Sequence, residues 1–160
     1  MAPQTDLRDV QIERGALRFR VPAAWTGAQE DDGTEAFYEG EGEAGILRVK
    51  LMTFTSPDVL TSTVALAELE AMEKQPGQSL EPLPNGNALR THHEELDTDG
   101  RRTTLHVWML ASIDPPHRMR LAVFSFAVLV GDLDDLAIRR TVAALHREIR
   151  EARFAHQNLS

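Results

Sequence analysis

Two histidines and a glutamate have the greatest capacity for chemistry in this chain, and they lie along a stretch of alternating polarity. If Asp99-Gly100 is a two-residue hairpin corner, His93 stands opposite His106, Glu95 opposite Thr104 and Thr91 opposite Trp108. Two imidazoles and a carboxylate are groups zinc accepts, but a zinc site needs about four ligands and no His-Glu-x-x-His pair accompanies them. A longer loop would also break the register. The competing reading is a cross-strand pair on the polar face of a hairpin.

Two further groups compete for a role. The carboxylates Glu30, Asp31, Asp32, Glu35, Glu39, Glu41 and Glu43 crowd one segment. Their spacing is not that of a calcium-binding loop, and it fits a solvated acidic surface. The aromatics Trp25, Phe37, Tyr38, Phe54 and Trp108 could line a groove between sheet and helix or could simply fill the core. From this set Trp25, Tyr38 and Trp108 form the candidate partner surface. Nucleophilic catalysis finds no motif: cysteine is absent, and there is no Gly-x-Ser-x-Gly elbow or phosphate-cradling glycine loop. Glu94 and Glu95 are adjacent on a strand and point to opposite faces, so they cannot act as one acid-base pair.

Composition narrows the class. The 160 residues, 42% hydrophobic and 26% charged, fit one ordinary globular domain over residues 1–160, with a core of about 10–154 and flexible ends at 1–9 and 155–160. The net charge of −8 and the lack of a basic cluster argue against nucleic acid. Lysine occurs only at Lys50 and Lys74, an arginine bias typical of a GC-rich bacterial genome. The run Leu121–Val130 is about half of the ~20 residues a membrane span needs, and the N-terminus carries no apolar signal core. A cytoplasmic location is the expectation.

The elements that must position these groups follow from periodicity. Leu17, Phe19 and Val21 alternate with Arg18 and Arg20, which predicts a half-buried strand after a turn at Gly15 and before Pro22. Short strands are expected at Thr34–Glu39 and Ile46–Phe54. Ser56-Pro57-Asp58 carries helix-start chemistry, and the helix should run to about Lys74 with Leu60, Val64, Ala67 and Ala71 on one face, broadened by Leu69 and Met72. The segment Gly77–Asn87 reads as a loop. A meander follows: Ala88–Leu96, Thr103–Ile113 and a strand over Met119–Val130 that is apolar on both faces, so both faces should be covered. Gly131-Asp132 should end that strand. The last helix should begin at Asp132, with Asp132 and Asp135 as its capping pair. Its stripe is Ile138, Val142, Leu145, Ile149 and Ala152. The fold class is therefore α+β: an antiparallel sheet of about six strands, flanked by two helices on opposite faces.

The opening Leu17-Arg18-Phe19-Arg20-Val21-Pro22-Ala23-Ala24-Trp25 resembles the start of the PsbP/DcrB-like superfamily, whose domains often open with a strand ending in Pro-x-x-Trp. The element order is similar from about Val10 to Phe154. The resemblance implies an α/β/α sandwich around an antiparallel sheet and a mostly non-enzymatic role. It supplies no functional residues.

The expectation is a non-catalytic, adaptor- or chaperone-like domain that binds another protein and needs no cofactor. The alternatives are a small-ligand or metal-binding protein using His93, His106 and Glu95, and a self-associating domain such as a homodimer.

Overall fold

The computed structural model describes residues 6–40, 45–72, 74–75, 77–98, 100–129 and 136–157. Strands β1 (Leu7–Ile12), β2 (Leu17–Pro22), β3 (Thr26–Gln29), β4 (Glu35–Tyr38) and β5 (Ile46–Thr55) lead to helix α1 (Ser62–Ala71). Strands β6 (Ser79–Pro82), β7 (Ala88–Thr98), β8 (Arg101–Asp114) and β9 (Arg118–Leu129) lead to helix α2 (Leu136–Arg150) and the two-residue strand β10 (Arg153–Phe154). Seven strands form one antiparallel sheet in the order β3-β4-β5-β9-β8-β7-β6, and β1-β2-β10 form a second. The fold is α+β, as the periodicity indicates. The main sheet has seven strands rather than about six, and the small second sheet adds a layer the sequence did not announce.

Strand β9 explains the layering. Ala122, Phe124, Phe126 and Val128 point to one face and join Trp108, Leu110, Leu47 and Val49 there. Residues of α2 (Ile138, Leu145, Ile149) and of the small sheet (Ile12, Leu17, Phe19, Phe154) close that core. Leu121, with Met119 and Val123, points the other way and meets Ala65 and Leu69 of α1. A strand apolar on both period-2 faces is thus covered on both, with the two helices on opposite sides. Among the described residues no helix is long and apolar enough to cross a membrane.

Several boundaries differ from the sequence reading. β1 starts at Leu7 and pairs along its whole length with β2, so 7–9 belong to the sheet. The helix start at Ser56 is a turn instead: Ser56 Oγ accepts from the Asp58 N–H at 3.1 Å. The Ser56 and Leu60 N–H groups bond to the His117 and Pro116 carbonyls, which holds this stretch against the β8–β9 turn until the helix begins at Ser62. The buried face of α1 is Ala65 and Leu69, while Ala67 and Ala71 are exposed. The expected loop 77–87 contains β6, paired with β7.

The expected flexible tail is pinned as far as Gln157. The side chains of Gln157 and Asn87 exchange hydrogen bonds, and Gln157 also takes the Phe154 N–H at 3.0 Å. His156 shares a 3.0 Å hydrogen bond with Ser112. The Gly131-Asp132 stop, the Asp132/Asp135 cap, Asp99 of the hairpin corner, Glu41 and Glu43 of the acidic stretch, and 158–160 lie outside the described residues.

Candidate functional site

The β7–β8 hairpin has the register that a two-residue corner demands: Thr98 pairs with Arg101, His93 with His106, Thr91 with Trp108 and Glu95 with Thr104. β6 pairs with Ala88–Thr91, and beyond Thr91 strand β7 has no partner strand on its outer side among the described residues. α2 crosses the same face of the sheet. Arg139, Val142 and His146, three and four residues apart, share one helical flank and look onto the hairpin. Between helix and hairpin lies an open cleft of about 440 Å³, lined by Thr91, His93, His106, Trp108, Arg139, Val142 and His146.

Trp108 forms the floor. Its ring is 3% exposed, and its indole N–H donates to His146 Nδ1 at 3.2 Å. An indole can only donate, so Nδ1 is the accepting nitrogen and a neutral His146 carries its proton on Nε2. The His106 ring lies 6.3 Å from the indole at a tilt of 31°. Burial, and secondarily the neighbouring His93, hold His106 below the usual histidine range, which keeps it neutral at pH 7. Gly77, at φ +65°, runs against the His93 ring: a Cβ there would collide with the imidazole, and a side chain would also strain the backbone.

The structure brings together His93, His106 and Trp108 but leaves Glu95 out. Glu95 sits beyond the cleft, where its carboxylate takes Arg102 Nη2 at 2.7 Å. Among the described residues no group of three or more His, Asp or Glu side chains is placed to hold a metal ion, so the zinc set read from the sequence does not assemble. His92 faces the other side of the sheet, 3.5 Å from Glu94, and burial outweighs that carboxylate to lower its pKa.

The surface read from Trp25, Tyr38 and Trp108 is not one groove. Phe37 pairs with Leu47 on the core face, so the pleat turns Tyr38 to the opposite face, beside Ala36, Ile46 and Arg48. Trp25 stays on the core side, stacked on Phe126 at 6.0 Å and 11°, with a relative exposure of 8%. Phe54 is 46% exposed beside α1 and fills no core. In the acidic stretch Glu30 and Asp32 have local partners. Arg48 donates to Glu30 at 3.0 Å, and the Thr34 N–H bonds Asp32 at 3.0 Å, which lowers the Asp32 pKa.

The sequence reading gives Arg139 and Gly77 no role and takes His146 as a solvated residue beside the apolar stripe, whereas the structure seats it on Trp108. His146 follows Val142 by four residues, so the helical period alone sets it at the edge of the apolar stripe, facing whatever that stripe covers. Imidazoles, an indole floor and a rim guanidinium can recognise a ligand by hydrogen bonding and stacking.

No protein-family model matches the chain, and no curated protein matches it by sequence. Among solved structures it is similar to a protein of Bacteroides thetaiotaomicron, with 16% identity, a TM-score of 0.56 and 88% of this chain covered. The chain spans 45% of that protein. It is also similar to LpqN, involved in cell envelope biogenesis of Mycobacterium tuberculosis, with 12% identity, a TM-score of 0.54, and 94% and 91% of the two chains covered. A single-residue variant of the protein Mog1 aligns with 14% identity, a TM-score of 0.52, and 93% and 96% covered. At these identities the likeness is one of fold.

Proposed function

We propose that this protein is a non-catalytic binding domain of the PsbP/DcrB-like kind, whose partner is another protein received at the cleft between α2 and the β7–β8 hairpin. The observation that carries the reading is the Trp108–His146 hydrogen bond beneath His93 and His106. It builds a pre-ordered recognition floor, with no metal-holding group among the described residues. Among the described residues no strand pairs with β7 beyond Thr91, which leaves backbone donors and acceptors beside that floor, a feature protein partners use. The fold likeness to LpqN and Mog1 and the Pro-x-x-Trp strand end support the superfamily reading.

The test is a photoreactive amino acid placed at His93 and, separately, at Glu70 on the exposed side of α1, with crosslinking in intact cells of the source organism. One discrete protein adduct from the His93 position, absent from the Glu70 position, is expected. No adduct, or the same adducts from both positions, overturns the proposal. A small ligand is the second reading, favoured by the cleft volume of about 440 Å³, which falls in the range of ligand pockets.

A further inference from the structure

The other flank of α2 carries a second cleft, of about 500 Å³, between the helix, strands β2 and β10, and the Pro84-Asn85 turn. Arg18 and Arg153 are register partners across β2 and β10, beside the buried pair Leu17 and Phe154. Both arginines are exposed and line the cleft. Like charges directly opposite each other across an antiparallel pair repel.

The neighbouring arginines are occupied. Arg20 donates to Glu148 at 2.7 Å and lies 3.8 Å from Glu151, and Arg150 donates to Glu81 at 3.2 Å. Arg18 and Arg153 have no carboxylate within 4.0 Å among the described residues. In a chain with 25 acidic and 17 basic residues, Arg18 and Arg153 are thus left without a carboxylate partner among the described residues. Counting Glu81 and Arg147, the ion-pair partners of Arg150 and Glu148, five arginines face four carboxylates, which leaves a single positive charge to balance. Pro84 adds an apolar edge, while the Phe19 side chain turns into the core against Phe124.

We propose that this cleft binds one carboxylate through Arg18 and Arg153, with the apolar body of its carrier against Pro84. Guanidinium forks match the planar carboxylate, and one negative charge matches the local balance better than the two of a phosphate monoester. The carboxylate can belong to a free organic acid or to the C-terminus of a peptide.

Calorimetric titration of the full chain with phenylacetate, with a tetrapeptide ending in leucine, with the same peptide amidated, and with inorganic phosphate at constant ionic strength separates these sources. Saturable binding of phenylacetate or of the free-acid peptide, roughly tenfold weaker in each of Arg18→Gln and Arg153→Gln and unchanged in Arg102→Gln, is expected. Phenylacetate alone identifies a free acid as the natural class, and the peptide alone identifies a chain end. Three results overturn the proposal: no saturable binding of either acid, binding that survives both substitutions, or phosphate or the amidated peptide binding as tightly as the acids. Both arginines are exposed, so the substitutions leave the core intact, and circular dichroism confirms the fold of each variant.

Discussion

Glu148 shows what a helical pattern hides. It sits off the apolar stripe of α2, yet its side chain is 3% exposed, held between Arg20 at 2.7 Å and Arg147 at 3.1 Å. Removing one partner of a buried carboxylate leaves charge that water cannot reach, whereas an exposed pair such as Arg102–Glu95 contributes little. Arg20→Met is therefore expected to lower the urea midpoint clearly more than Arg102→Met, and equal shifts would refute this. Nothing in the spacing of α2 reveals the clamp, because Arg20 lies 128 residues away.

The histidines set a pH dependence at the same scale. His92, His106 and His156 all have pKa values lowered from 6.5, with burial as the largest cause in each. The unfolded chain then binds protons first as pH falls, so stability is full above about 6.5 and is lost as pH drops from there through the folded values. Melting temperature should fall between pH 7.5 and pH 5.5, with a shallower fall in His106→Gln. A flat or rising profile contradicts the assignment. The His93–His106 pairing was legible because a two-residue hairpin fixes register. The partnership of His146 with Trp108 was not, because it joins a helix to a strand 38 residues apart.

Among the elements, α1 is the one whose local signals mislead. Ser56, Pro57 and Asp58 have the residue types of a helix start, but tertiary hydrogen bonds to the Pro116 and His117 carbonyls hold this segment in a turn. The actual N-cap, Thr61, has the right backbone at φ −120° and ψ 166° but makes no capping bond, its hydroxyl being 2.9 Å from that of Thr63. The first turn also lacks an acidic residue. Thr61→Asp should supply both a cap acceptor and a charge suited to the helix dipole, and so stabilise the fold by about 0.5 kcal/mol in urea unfolding. A destabilised variant would show that the Thr61–Thr63 contact matters more than the cap. At the far end of the helix the guanidinium of Arg90, 1% exposed, reaches the Leu69 carbonyl and Gln78. Short elements such as β6 and β10 leave almost no periodic signal, since four and two residues cannot establish a period.

For the molecule as a whole, β9 was the most readable feature, since twelve residues apolar on both faces require cover on both. The small sheet was not readable, because β10 joins β2 from the opposite end of the chain and its register depends on where α2 ends. The result is two cores separated by one sheet, with Leu69 of α1 in one and Leu145 of α2 in the other. Both side chains are at most 1% exposed. Leu69→Ala and Leu145→Ala should each cost roughly 2–5 kcal/mol, the range for emptying a buried leucine site. Their clusters lie on opposite faces of the sheet and share no members, so the two losses should add to within about 0.5 kcal/mol in the double variant. Chemical denaturation of the wild type, both single variants and, if it still folds, the double variant closes the cycle. A coupling above about 1 kcal/mol would mean that the sheet transmits repacking from one face to the other, and that ligand at either α2 cleft is felt beneath α1.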